Sequence, residues 1–184
     1  TPSKPSQEQL INQALKYHSQ GNFLEAEKNY KNFIDQGYKD HRVFSNYGSI
    51  LKALGKLKEA ELSQRKAIEL KPDFAEAYSN LGNILKDLGK FQEAALSLRK
   101  AVELKPDFAN AHLNLGIILK DLGKLQEAEI SYRKAIEIKP DYANAHSNLG
   151  NILRDLGKLK EAAFSTRKAI ELKPGLAEAH LNLG

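Results

Sequence analysis

The 184-residue chain has no cysteine. Its absence excludes a disulfide framework, a thiolate nucleophile and a cysteine-based zinc site, and it suits a reducing cytoplasm without requiring one. No apolar run approaches the roughly 18 residues that a membrane span needs, and no signal-peptide pattern opens the sequence. A cytoplasmic location with no membrane partner is therefore the expectation. The first residue is Thr1 rather than Met, and the last helical pattern is cut short at Gly184, so the chain is expected to be part of a longer one. GxGxxG, P-loop, HExxH and GxSxG strings are all missing. No catalytic residue, cofactor or metal site is expected, and the chain does not read as an enzyme. No stretch alternates with period two, which argues against strands. Charge of one sign is lacking too: 28 basic residues stand against 23 acidic ones. The remaining balance of +5, with a pI near 9.2, raises nucleic acid or acidic membranes as partners, depending on where the charges sit.

Proline is scarce, and its placement is informative. Lys-Pro-Asp-Phe-Ala occupies 71–75 and 105–109, Lys-Pro-Asp-Tyr-Ala 139–143 and Lys-Pro-Gly-Leu-Ala 173–177, a step of 34 residues each time with no insertion. The period divides the chain into a six-residue tail, 1–6, and one array, 7–184. Its repeats are 7–40, 41–74, 75–108, 109–142 and 143–176, followed by a partial sixth, 177–184.

Each repeat reads as two helices. In 75–108, Ala77, Tyr78, Leu81, Gly82, Ile84, Leu85 and Leu88 fall at steps of three and four, one face of a 3.6-residue period. Gly89 ends that helix, and Phe91, Ala94, Leu98, Ala101 and Val102 give the second helix its face. Pro106 follows, because proline cannot continue a helix. Asp73 with Glu76, and Ser6 with Gln9, have capping-box spacing. The columns Ala26, Ala60, Ala94, Ala128, Ala162 and Gly21, Gly55, Gly89, Gly123, Gly157 are unbroken. A helical hairpin that cannot bury its apolar face alone stacks on its neighbour and builds a solenoid.

These residues closely resemble the tetratricopeptide repeat (TPR) family. The family pattern corresponds in 109–142 to His112, Leu115, Gly116, Leu119, Gly123, Ala128, Ala135 and Pro140, and the likeness runs over residues 7–184. It implies an all-α fold, a right-handed superhelix of helix-turn-helix hairpins, with first helices lining a concave groove and second helices the convex side. The first repeat departs, with Leu10, Gln13, Phe33 and Tyr38 at four pattern positions, and is expected to be an end cap whose outer side meets water.

A helical wheel sends the second, fifth, sixth, ninth, twelfth and thirteenth positions of each first helix into the groove. The sixth is invariant: Asn12, Asn46, Asn80, Asn114, Asn148 and Asn182. Asparagine is a poor helix former, and a side-chain amide both donates and accepts, so a ladder of amides can hold a peptide backbone regardless of its side chains. The string Ser-Asn-Leu-Gly-Asn-Ile-Leu is similar to the TPR arm of the O-linked N-acetylglucosamine transferase family, which implies such a ladder. Beside it run a basic column (His18, Lys52, Lys86, Lys120, Arg154) and an acidic one (Asp87, Asp121, Asp155). Asn83 and Asn151 widen the amide surface, and Leu113 with Ile117 forms an apolar spot. The carboxylate-clamp type of TPR is not matched: the fifth position is Ile11, Ser45, Ser79, Leu113 or Ser147 and the sixth is never arginine.

On the second helices, Leu62, Leu96, Ile130 and Phe164 fall opposite the core, where partial cover by long neighbouring side chains is expected, with a contact surface as the other reading. His112, His146 and His180 sit in the core aromatic slot at 34-residue spacing, too far apart to share a metal ion. Glu93, Arg99, Lys100 and Glu103 point to charge pairing along the second helices, and no aromatic residue is expected in the groove for base stacking, so RNA is disfavoured. The function read from sequence is a scaffold binding an extended polypeptide. The alternatives are a substrate-recruiting arm of a longer enzyme such as a glycosyltransferase and, behind it, an RNA-binding repeat. The uncovered end at 177–184 is a further candidate for self-association.

Overall fold

The structure is a computed structural model that describes residues 5–175. The partial sixth repeat, with Asn182 and His180, and most of the tail lie outside the described residues. Among the described residues ten helices follow one another: α1(Gln7–Ser19), α2(Phe23–Asp35), α3(His41–Ala53), α4(Leu57–Leu70), α5(Ala75–Asp87), α6(Phe91–Leu104), α7(Ala109–Asp121), α8(Leu125–Ile138), α9(Ala143–Asp155) and α10(Leu159–Leu172). They fall into two compact units that meet in sequence between Lys90 and Phe91, inside the third repeat.

In the first unit α1 pairs with α2 and α3 with α4, and α5 packs on α4. Tyr30 and Phe33 of α2 fill the centre against Leu10, Val43 and Ile50, with Tyr38 and Tyr47 around them. Phe33 stands where the later repeats place Ala67, Ala101, Ala135 and Ala169, and Tyr38 packs on it at 5.3 Å between ring centroids. The end-cap reading of this repeat is supported by Gln13, which is exposed where Leu81, Leu115 and Leu149 are buried. In the second unit α7 pairs with α8 and α9 with α10, and α6 and α8 pack on the first helix that follows them.

The hairpin turns follow from one glycine each. Gly123 adopts φ 73°, and its N–H bonds the Lys120 carbonyl at 2.8 Å while the Lys124 N–H bonds Leu119 at 2.8 Å. This pair of bonds terminates α7 as a Schellman cap. A second glycine column acts sterically: a Cβ on Gly116 would lie 2.5 Å from the Tyr132 ring, so its absence lets α7 and α8 approach.

The capping expectation is half met. Ser6 and Gln9 form a reciprocal capping box, at 3.2 Å and 2.8 Å. Asp73 and Glu76 do not, because α5 begins one residue later than its spacing suggests: Phe74 is the N-cap and no side chain caps it. Instead Lys71-Pro72-Asp73-Phe74 closes a turn, the Phe74 N–H bonding the Lys71 carbonyl at 3.1 Å. Proline presets the second position of such a turn and aspartate suits the third. The same turn recurs at Phe108 and Tyr142, whose rings lie 5.1 Å from the ammonium groups of Lys105 and Lys139.

The two described histidines of the core slot, His112 and His146, hold turns. Nε2 of His112 lies 3.0 Å from the Pro106 carbonyl, and Nε2 of His146 lies 2.9 Å from that of Pro140, so each ring tethers the turn before its own helix.

Candidate functional site

The candidate recognition residues lie on the first helices of each unit, α1, α3 and α5 in one and α7 and α9 in the other. Asn12 on α1 is exposed, and Asn46, Asn80, Asn114 and Asn148 are half-buried on α3, α5, α7 and α9. None of these five is buried outright. Asn80 donates from Nδ2 to the Ser45 hydroxyl at 3.3 Å, a bond from one repeat to the one before. Asn83 and Asn151 are half-buried beside the column.

The fifth position departs from the wheel. Ser45, Ser79, Leu113 and Ser147 are only 2–6% exposed, and Ile11 is half-buried. A wheel drawn on one helix ignores the next one, and consecutive first helices touch here, α3 with α5 and α7 with α9. The fifth residue lies in that crease. The Ser45 carbonyl also accepts from Gln64 Nε2 at 2.8 Å. Leu113 is thus core, and Ile117 beside it is half-buried.

Charge on these first helices is mixed. Lys52 bridges Asp87 at 3.1 Å across two repeats, and Lys86 lies 3.8 Å from the same carboxylate. Lys120, Arg154, Asp121 and Asp155 are exposed. His18 is not a groove cation: its ring meets Phe23 and Tyr30 edge-on at 6.2 and 6.4 Å, and burial lowers its pKa. An amide-rich cleft of about 690 Å³, lined by Gln9, Asn12, Gln13, Asn29 and Asn32 with Lys16, was not apparent in the sequence. Asn29 and Asn32 come from the second helix, so no single-helix pattern groups them with Asn12.

The second-helix face overturns the expectation of cover. Leu62, Leu96 and Ile130 are each 68% exposed and Phe164 is 71% exposed. The long side chains expected to shield them are engaged elsewhere. Arg133 reaches Glu129 at 2.9 Å and Glu161 at 2.7 Å, and Lys100 reaches Glu103 at 2.7 Å. Glu61 and Glu129 are buried carboxylates. Desolvation pushes each up, but Lys90 and Arg65 around Glu61, and Lys158 and Arg133 around Glu129, outweigh it and hold both below the usual range. Many basic side chains of the second helices are thus held in ion pairs.

Among the described residues no group of three or more His, Asp or Glu side chains could hold a metal ion, and no helix is long and apolar enough to cross a membrane.

A family model described as TPR repeat matches residues 48–89, 82–123 and 118–153, and one described as tetratricopeptide repeat matches 143–176. The chain belongs to the tetratricopeptide repeat family. Its TPR fold is that of solved relatives: a MamA protein, with a TM-score of 0.81 and 26% identity, covering 94% of each chain; and MamA from Desulfovibrio magneticus RS-1, at 0.82 and 22%, covering 93% of this chain and 97% of that one. YrrB, described as a TPR protein with an unusual peptide-binding site, matches at 0.79 and 23%, covering 96% of this chain and 91% of that one. No curated protein matches the sequence. The fold class is all-α, a right-handed TPR α-solenoid of helix-turn-helix hairpins, and it supports a protein-interaction scaffold.

Proposed function

We propose that the array 7–184 is a non-catalytic scaffold that holds an extended, disordered polypeptide along its first-helix wall, with the asparagine column as the ladder. The observation that carries this reading is the state of the rungs: half-exposed amides recur at one position of α3, α5, α7 and α9. Where Nδ2 is tethered, as from Asn80 to Ser45, the carbonyl end is held in place and remains an acceptor for a ligand N–H. Packed helices lie roughly 8–10 Å apart and an extended chain rises about 3.3 Å per residue, so one rung serves about three ligand residues. The mixed Lys52–Asp87 pairing suits ligands without a dominant charge. An arm that recruits substrates for a longer enzyme would use the same wall. The paired charges do not favour RNA.

The test uses an unstructured peptide selected on the intact protein from a random display library. Replacing Asn80, Asn114 and Asn148 together by alanine removes three rungs worth about 1 kcal/mol each, so affinity is expected to drop about 100-fold. Titration calorimetry showing unchanged affinity sinks the ladder.

A further inference from the structure

One stripe of the first helices changes character at α1. Its tenth position is Ile50, Ile84, Ile118 and Ile152 on α3, α5, α7 and α9, each at most 1% exposed. Its seventh is a buried leucine on α5, α7 and α9. On α1 the same positions hold Lys16 and Gln13, both exposed. The cleft of about 690 Å³ opens there between α1 and α2, over the buried side chain of Leu10. A face that only meets water is ordinarily covered by charges of both signs. Among the residues lining this cleft Lys16 is the single charge, and the rest of its polar lining is amide: Gln9, Asn12, Gln13, Asn29 and Asn32. Asn29 and Asn32 lie in mid-helix, where asparagine lowers helix propensity.

Three of these amides are held by one end. Gln9 Oε1 accepts from the Ser6 N–H at 2.8 Å, and Asn32 Oδ1 accepts from Gln36 Nε2 at 3.0 Å. Asn29 Nδ2 donates to the Glu25 carbonyl at 2.8 Å. The ends left over are donors on Gln9 and Asn32 and an acceptor on Asn29. An amphipathic helix is a poor occupant, because it offers an apolar stripe and has used its own backbone groups. An extended chain keeps its N–H and C=O groups available, and side-chain amides of fixed sense can pair with both.

We infer that this cleft is a second binding subsite, taking an extended, uncharged polar segment at one end of the polypeptide held on the first helices. The inference rests on that reading of the function. Asn12 belongs to both sites, as the first residue of the asparagine column and as a lining residue of the cleft. The span from Gln9 to Lys16 is about 10 Å along α1, room for about three residues of extended chain. Lys16 sets the selectivity: it can donate to a backbone carbonyl, and it repels lysine or arginine in the segment.

The probe is the library-selected peptide, trimmed stepwise from each end and titrated by calorimetry. Removing about three residues from one end should cost the parent at least about tenfold in affinity. The Asn29→Ala/Asn32→Ala variant should bind the whole peptide at least about tenfold more weakly and be indifferent to that trimming. Its circular dichroism should be unchanged, since alanine is the better helix former. A lysine placed in the segment should weaken binding to the parent and not to Lys16→Gln. In nuclear magnetic resonance the side-chain amide signals of Asn29 and Asn32 should shift with the whole peptide and not with the trimmed one. Asn80→Ala/Asn114→Ala/Asn148→Ala should weaken binding yet keep the cost of trimming, so failure of the ladder and failure of the cleft give different results. Equal trimming costs in parent and Asn29→Ala/Asn32→Ala overturn the proposal. So do unmoved Asn29 and Asn32 signals, or a bound segment that proves helical.

Discussion

Tyr132 shows how far one missing methyl group reaches. Its ring is buried against Gly116, and a Cβ there would meet ring atoms at 2.5, 2.7 and 2.9 Å. In the second repeat the same glycine position, Gly48, faces Gln64. The glycine column is plain in the sequence, but its partner changes from repeat to repeat, so the contact is visible only once the helices are paired. Overpacking of this kind typically costs about 1–3 kcal/mol. Gly116→Ala is expected to destabilise the protein by about 2 kcal/mol, and adding Tyr132→Leu should recover part of that loss. Denaturant melts of the single and double variants check the coupling, and simple additivity would rule the contact out as the cause. Tyr30 illustrates burial of another kind: desolvation of its enclosed hydroxyl pushes its pKa up to about 12, with the nearby Asn46 amide tempering the shift.

Among elements, the helix starts separate motif from geometry. Ser6–Gln9 and Asp73–Glu76 look alike on paper, yet only the first forms a cap. The difference lies in Pro72, which draws Asp73 into a turn closed by Phe74 and shifts the start of α5 by one residue. Ser6→Ala is expected to cost about 1 kcal/mol. Asp73→Ala, which removes no cap, should fall within about 0.5 kcal/mol of the parent. Thermal melts of the two variants distinguish them, and equal losses would mean that Asp73 caps after all. The exposed leucine, isoleucine and phenylalanine of the second helices show the converse. The wheel placed them opposite the core correctly, but whether lysine and arginine stems cover them depends on where those side chains find carboxylates.

For the whole chain, acid stability follows from buried titratable groups in each unit. His18 and His112 have pKa values below the ordinary 6.5, mainly through burial. Their neutral forms suit the fold, so the unfolded chain binds more protons just below pH 6.5, and stability falls as pH drops through that region. Glu61 and Glu129 lie below the ordinary 4.5: desolvation raises them, and their lysine and arginine partners outweigh it. Their contribution is present above pH 4.5 and disappears as pH falls through their folded values. Urea midpoints measured across this range should therefore decline in two steps. His18→Gln/His112→Asn should flatten the first step and Glu61→Gln/Glu129→Gln the second. A single step unaffected by either pair would contradict the assignment.

The 34-residue period, the paired helices, the glycine turns and the asparagine column are all determined by the sequence, because they depend on local dihedral preference and on a periodicity that one chain displays to itself. The tertiary structure decided what depends on a neighbour. Consecutive first helices close over the fifth position and bury Ser45, Ser79, Leu113 and Ser147. Carboxylates on adjacent helices draw the basic side chains away and leave Phe164 in solvent. A helical wheel contains one helix, and burial is a property of two.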